Sequence, residues 1–445
     1  MSRYFPARLS LLAAGLAVAL TVPAPVDAAE LTRVASSFDL DNPFDLDFSV
    51  GYARTQRRAK ITRERHQDGH IANVIEMRYH QVTQEMPMRL AIGLYQDLEI
   101  HVGASIVFSD QRLWRYPGLD EDGQIVTNEN NSTVTNNCST ASGNPPLVDA
   151  ECSGDSFSNA QAIFEIPGKS YRSGLSNINV GIKWAPLSDL RDDTKPKWTL
   201  GFDYGTPSSS LLDPSRPTSD SQPGAIGDKA HRLTVSTALS KRIGAIDPYV
   251  QLHYTFPTRA SGYYSNCENP DNLGNPQNCG VGPWSFKETG YKPPHVAGLL
   301  FGAEFFAYDD PSRRQSVSID LQLGGNYVSS GRTYNELSDA LGKLLWTEEH
   351  MTVGGTFGLN ARPAEYVQLR LGASLYHETE HFLTGESIGK DIDGACQGDT
   401  SKTCVELGTN EVNPTFDFRY DMPGRRFRIS ETNVFTVMAT GVVNF

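Results

Sequence analysis

His377-Glu378-Thr379-Glu380-His381 is the segment of this 445-residue chain whose residue types most directly suggest chemistry. The order H-E-x-x-H holds a zinc ion and a general base when the segment is helical, because histidines four apart then share a face. Here the motif follows Val367-Gln368-Leu369-Arg370-Leu371-Gly372-Ala373-Ser374-Leu375, whose apolar and polar residues alternate as on a strand. Along a strand, residues four apart lie about 13 Å from each other, too far to share one metal. Thr384 stands where the longer zinc pattern has glycine. The expectation is a histidine-bearing strand rim and no metal.

Other catalytic patterns are missing. The chain has no His-x-Ser pair of the kind used by barrel phospholipases, and no phosphate or dinucleotide fingerprint. Gly324 and Gly325 sit within an alternating run, where small lumen or bulge positions explain them. Asp120-Glu121-Asp122-Gly123 lacks the spacing of a calcium loop and reads as an exposed acidic turn. No catalytic residue and no cofactor are expected, and the chain is not read as an enzyme.

Six cysteines fall in three sequence neighbourhoods: Cys138 with Cys152, Cys267 with Cys279, and Cys396 with Cys404. Local pairing is the simplest of the possible connectivities in a secreted chain, and each crosslink would stabilise its loop by about 3 kcal/mol in the chain-entropy model.

A secreted chain is what the first residues indicate. Arg3 and Arg8 precede an apolar stretch from Leu9 to Val22, and Val26-Asp27-Ala28 offers small residues for cleavage before Ala29. The stretch is shorter than the roughly 20 apolar residues a membrane helix needs. Removing residues 1–28 takes away two arginines and one aspartate, which moves the net charge from -13 to -14. Such acidity argues against nucleic acid as a partner, whose phosphates need a basic face.

The elements that must carry these residues are strands. Leu98, Ile100, Val102, Ala104, Ile106 and Phe108 alternate with Glu99, His101, Gly103 and Ser105, and similar runs recur to the C-terminus. Strands near 44–56, 81–94, 98–109, 177–184, 197–204, 231–241, 249–256, 296–307, 315–327, 350–360, 366–376 and 435–445 make twelve. The connections alternate strictly between short and long, which is the turn and loop asymmetry of a transmembrane barrel and not of a soluble sandwich. Tyr95, Trp184, Trp198, Tyr249, Tyr308 and Tyr366 adjoin the short turns and are expected at one membrane interface. The fold class is therefore all-β, an antiparallel up-and-down transmembrane barrel. Residues 29–43 form a periplasmic lead-in, residues 44–445 the barrel, and loops 109–175, 257–294 and 377–414 each carry a cysteine pair.

On that pattern the polar face of the strands lines a lumen. It carries Glu85, Glu99, Asp203, Glu304 and Asp320 against Arg89, Lys183, Lys197, Arg232 and Arg370, with His101 and His253 among them. The signs balance, which argues against a strongly ion-selective pore. Arg57, Arg58, Lys60, Arg63 and Arg65 form a basic cluster in the first long loop, read either as a contact for lipopolysaccharide phosphates or as a solvated charged loop.

Phe445 ends the chain after an uncharged alternating run and resembles the signal by which bacterial outer-membrane barrels are recognised for insertion. With the leader and the alternation, the mature chain resembles a Gram-negative outer-membrane β-barrel. Arg89-Leu90-Ala91-Ile92-Gly93-Leu94-Tyr95-Gln96-Asp97-Leu98-Glu99-Ile100 and Pro248-Tyr249-Val250-Gln251-Leu252 resemble segments of channel proteins grouped with the MetA pathway of phenol degradation. The resemblance implies passage of small molecules, hydrophobic compounds among them, and assigns no binding residues. The expected partners are membrane lipid and lipopolysaccharide, the barrel-insertion machinery and a small-molecule solute. A structural or adhesive surface barrel acting through its loops is the alternative, and a barrel hydrolase the third.

Overall fold

Alternating faces turn the chain into long antiparallel hairpins, because each strand has one side for an apolar surrounding and one for the interior. The computed structural model describes residues 31–38, 44–67, 70–115, 168–189, 192, 194–267, 284–310, 312–394 and 405–445. The strands are β1 (Leu46–Gln67), β2 (His70–Tyr95), β3 (Leu98–Arg115), β4 (Lys169–Leu175), β5 (Asn179–Leu187), β6 (Lys197–Gly205), β7 (Ala230–Ser240) and β8 (Ile246–Arg259). They continue as β9 (Val296–Asp310), β10 (Gln315–Val328), β11 (Gly331–Thr333), β12 (Leu345–Thr347), β13 (His350–Ala364), β14 (Val367–Glu378), β15 (His381–Phe382) and β16 (Phe427–Asn444). Two single-turn helices, α1 (Phe286–Thr289) and α2 (Ser338–Leu341), lie in the connections.

Twelve strands pair in the order β1-β2-β3-β5-β6-β7-β8-β9-β10-β13-β14-β16, and β16 returns to β1. All twelve expected strands are present, and closure leaves no unpaired edge. At the seam the Leu46 N–H donates to the Phe445 carbonyl at 3.1 Å and the Phe445 N–H returns to Leu46 at 2.9 Å. Gln96 and Asp97 make a two-residue turn between β2 and β3, where Asp97 takes a positive φ of 54°. Aspartate tolerates that left-handed conformation better than most residues.

The outward face is apolar around the whole barrel. Phe48, Val102, Phe202, Val235, Leu252, Phe301, Leu321, Phe357, Leu371 and Val437 are all exposed on it. A closed barrel with such an exterior satisfies every backbone group internally and offers acyl chains an apolar surface. The protein is an outer-membrane β-barrel. Tyr95, Trp184, Tyr308 and Tyr366 are exposed at the short-turn end, and Tyr52, Tyr204, Tyr254 and Tyr327 are exposed nearer the other. Val317 pairs with Tyr308, and Tyr327 follows ten residues along β10. At about 3.3 Å per residue and a tilt of about 40°, the two girdles stand about 25 Å apart, the height of an apolar band.

Three expectations are corrected. Tyr249 does not join the interface: it is buried and its hydroxyl donates to Asp320 at 2.8 Å. The first long loop is instead a ribbon, since β1 and β2 stay paired from Leu46↔Ile92 to Gln67↔His70. Its charges misled because Arg57 and Arg58 lie on opposite faces of one strand. The loop from 109 is likewise shortened, as β3 continues to Arg115 and pairs with β4. Among the cysteines only Cys267 is described; Cys138, Cys152, Cys279, Cys396 and Cys404, with the pairings expected of them, lie outside the described residues.

Candidate functional site

The inward face of the barrel collects the charged side chains. Glu85, Arg89, Glu99, His101, Lys183, Lys197, Asp203, Arg232, His253, Glu304, Asp320 and Arg370 all lie on the interior face of their strands, and none is exposed. Register joins many of them into networks. Glu99 accepts from Arg89 and lies 3.0 Å from His101 Nδ1, whose Nε2 is 2.6 Å from Asp203. On the opposite wall, Tyr249 and Gln322 donate to Asp320 at 2.8 and 2.6 Å, while Ser318 and Asn360 donate to Glu304. Arg370 donates to Gln368 at 3.1 Å. Arg232 stands apart near the loop side, buried against Asp228 and Tyr291.

Large interior side chains lie over glycines on the next strand. His101 pairs with Gly181, His253 with Gly298, Tyr249 with Gly302 and Met438 with Gly372. A methyl group on Gly181 would overlap the His101 ring, one on Gly298 the His253 and Asn326 side chains, and one on Gly302 the Tyr249 ring. The missing Cβ lets each ring fold flat along the wall, so bulk that would cross the lumen is kept at its edge. The sequence signal was the run of interior glycines, which alternation alone reads as filler.

Chain segments close both ends. At the short-turn end the lead-in does not hang free: residues 31–37 enter the mouth. Leu31 packs against Ala238 and Tyr249. Lys183 Nζ donates to the Leu31 carbonyl at 2.6 Å and to that of Arg33, and the Ala35 N–H donates to Glu99 at 2.8 Å. Thr32 and Ser240 share a hydroxyl hydrogen bond of 2.8 Å, and Arg33 pairs with Asp47 at 3.0 Å.

At the long-loop end the closure is apolar. Ile61, Met77, Tyr79 and Trp114 from the tall β1–β3 wall meet Leu337 and Leu345 from the β10–β13 connection, with Leu383, Tyr420, Phe427 and Ile429. Trp114 Nε1 donates to the Glu336 carbonyl at 2.8 Å. Arg112 and Arg172 stack on Tyr334 at 4.3 and 4.7 Å, and Arg172 pairs with Asp339. Despite burial, the Arg112 and Arg172 guanidiniums hold the Asp339 carboxyl below the usual range. Burial pushes Asp421 up to about 7, against the pull of Lys343 and of backbone N–H groups from Gly385, Glu386 and Asp417.

The histidine motif divides. His377 lies on the face of β14 opposite Glu378, as strand geometry requires. Beyond Glu378 the chain turns, and His381 on β15 comes back to meet His350 on β13. One ligand atom from each of His350, Glu378 and His381 lies within 4.8 Å of the other two. Nothing local in the sequence marks His350, which the β13–β14 register supplies.

The basic cluster also divides. Arg57 points inward to Glu336 at 2.6 Å and to Glu378, and Arg63 is buried, donating to the Arg419 and Arg425 carbonyls. Arg58 is exposed, and with Lys60 it lines an outer hollow of about 570 Å³ together with Arg78, His80 and Arg115. The Arg65 side chain lies outside the described part of the molecule. Phe445 is exposed at the seam.

No family model matches the chain, and no curated protein matches it by sequence. Solved structures similar to it include an outer membrane channel from Pseudomonas putida F1, 10% identical, covering 95% of this chain and 99% of that one with a TM-score of 0.42. A Pseudomonas aeruginosa FadL homologue is 9% identical over 90% of both chains with a TM-score of 0.32. The outer membrane protease OmpT of Escherichia coli is 7% identical, covering 90% and 96%, with a TM-score of 0.26. Scores this low carry no argument, and the function has to be read from the chain's own residues.

Proposed function

We propose that this outer-membrane barrel is a passive channel for small solutes, gated at the periplasmic mouth by its own N-terminal segment. The observation that carries it is the wall: rings lie flat over glycines, and the charges pair along the strands instead of bridging across. A barrel built only for rigidity would direct such bulk across its interior, whereas glycines here let the rings pack against the wall and leave the axis clearer. Paired charges of both signs support weak ion selectivity. Passage of hydrophobic compounds belongs to this reading only through the family resemblance. The apolar closure at the other end favours the structural alternative, so the two separate on conductance. Purified protein in planar bilayers is expected to give discrete single-channel steps, and a closed barrel without steps would remove the channel. Gly298→Val is expected to push His253 off the wall, cost about 1–3 kcal/mol in overpacking and shrink those steps while the barrel stays folded on a heat-modifiability gel.

The outward patch of Arg58, Arg78 and Arg115, beside Lys60 paired with Glu431 at 2.6 Å, supports contact with lipopolysaccharide phosphates. Replacing Arg58 and Arg78 by glutamine is expected to weaken lipopolysaccharide binding by about 1 kcal/mol for each charge removed. Equal retention of lipopolysaccharide by wild type and variant would end that part.

A further inference from the structure

We propose that His350, Glu378 and His381 hold one divalent transition-metal ion of the zinc class, which ties the barrel wall to its extracellular closure. The three residues come from β13, β14 and β15, and their ligand atoms already converge within 4.8 Å. Two imidazoles and one carboxylate are the donors that zinc takes, whereas calcium and magnesium take oxygen.

Hydrogen bonds prepare both rings. His350 Nδ1 donates to the Glu348 carbonyl at 3.1 Å, and His381 Nδ1 donates to the Thr379 carbonyl at 2.9 Å. A carbonyl only accepts, so in the neutral rings Nδ1 carries the proton and Nε2 the lone pair. That is the tautomer a metal ligand needs, fixed as such ligands usually are. The rings stack at 3.9 Å with 11° between their planes.

The independent sign is an unanswered acceptor. Glu378 is 1% exposed; its Oε2 receives Arg57, but Oε1 is buried with no hydrogen-bond partner. Thr352 and Thr432, its cross-strand partners on either side, bury partnerless hydroxyls as well. Buried oxygens without partners cost about 1–3 kcal/mol each, and a bound cation with its water answers them. Arg57 lowers the affinity for a cation, and Glu336 on its far side offsets that charge. The acidic trio Asp391, Asp393 and Glu411 differs, since both Glu411 oxygens already accept backbone N–H groups from Ile392, Asp393 and Glu406.

The inference stands whether or not solute passes. Untagged barrel in detergent, stripped with chelator, is titrated with zinc by calorimetry and with cobalt by visible absorption. One equivalent is expected, with the strong absorption of a four-coordinate cobalt site. His381→Ala and Glu378→Gln are each expected to lower affinity by more than about 100-fold, beyond what losing a ligand's supporting partner costs. His377→Ala, on the other face of the same motif, should bind as wild type. A heat-modifiability gel verifies folding, and should His381→Ala not fold, Glu378→Gln and the wild-type titration decide. No binding by the folded wild type, a six-coordinate cobalt spectrum, or affinity unchanged in Glu378→Gln would overturn the assignment.

Discussion

Lys183→Met is expected to multiply the time the channel spends open by about 10- to 150-fold. Lys183 is the cation at the periplasmic mouth whose Nζ reaches two carbonyls of the N-terminal segment, those of Leu31 and Arg33. Hydrogen bonds with a charged partner contribute about 1.5–3 kcal/mol, and each 1.4 kcal/mol is about tenfold in an equilibrium. The remaining ties are the Arg33–Asp47 ion pair at 3.0 Å, the Thr32–Ser240 hydroxyl contact, the Ala35 N–H to Glu99, and Leu31 against Ala238 and Tyr249. Methionine keeps the length of the side chain and its apolar stem, so the wall strand is preserved while the grip is lost. Single-channel dwell times read the change directly. Unaltered dwell times in a conducting, folded variant would show that residues 31–37 do not gate.

Arg172→Met should loosen the extracellular closure by about 3–5 kcal/mol, the usual cost of stripping one partner from a buried ion pair. Arg172 is 1% exposed; it donates to Tyr334 at 2.7 Å and to the Ala225 carbonyl at 2.9 Å, pairs with Asp339, and stacks on the Tyr334 ring. Tyr334 and Asp339 lie in the β10–β13 connection and Ala225 in the β6–β7 connection, so one side chain holds two loops together. The wall keeps its own ladder, and the loss is therefore local. Amide hydrogen exchange over residues 331–347 should speed up while β13 and β14 keep their protection. The double variant with Asp339→Leu should recover part of the loss, because the uncompensated charge is then gone. Unchanged exchange in the single variant would show that the apolar cluster alone holds the closure.

Strand number and pairing order were legible because a period of two survives wherever one face meets lipid. Above the membrane that contrast disappears. In the β1–β2 ribbon Arg57 faces the interior and Arg58 faces outward, so charge on both sides looked like a loop. Tyr249 was misplaced for a related reason: its position beside a short turn says how high it sits, and only its parity, shared with Gln251 and His253, says that it faces inward. Alternation puts the charged residues on one face of their strands but does not say which of them meet. Which acid meets which base depends on register, as with His101 and Asp203, which lie on non-adjacent stretches of chain. Residues 31–37 carry no alternation, and their contacts lie on strands far along the sequence. The histidine motif was readable only in part: strand spacing correctly separates His377 from His381, but it cannot announce His350.

The seam between first and last strands has a bearing on how the protein is made. Its partners run from Asp47↔Asn444 to Arg63↔Phe427, so the two halves of the join are separated by nearly the entire polypeptide. Until β16 is in place, β1 and β14 are the two free borders of an incomplete curtain, and hydrocarbon offers their amides no substitute partner. A chain lacking β16 would leave both borders open. Backbone left unpaired along both borders is costly in a bilayer core, so a stable fold there waits on the last strand.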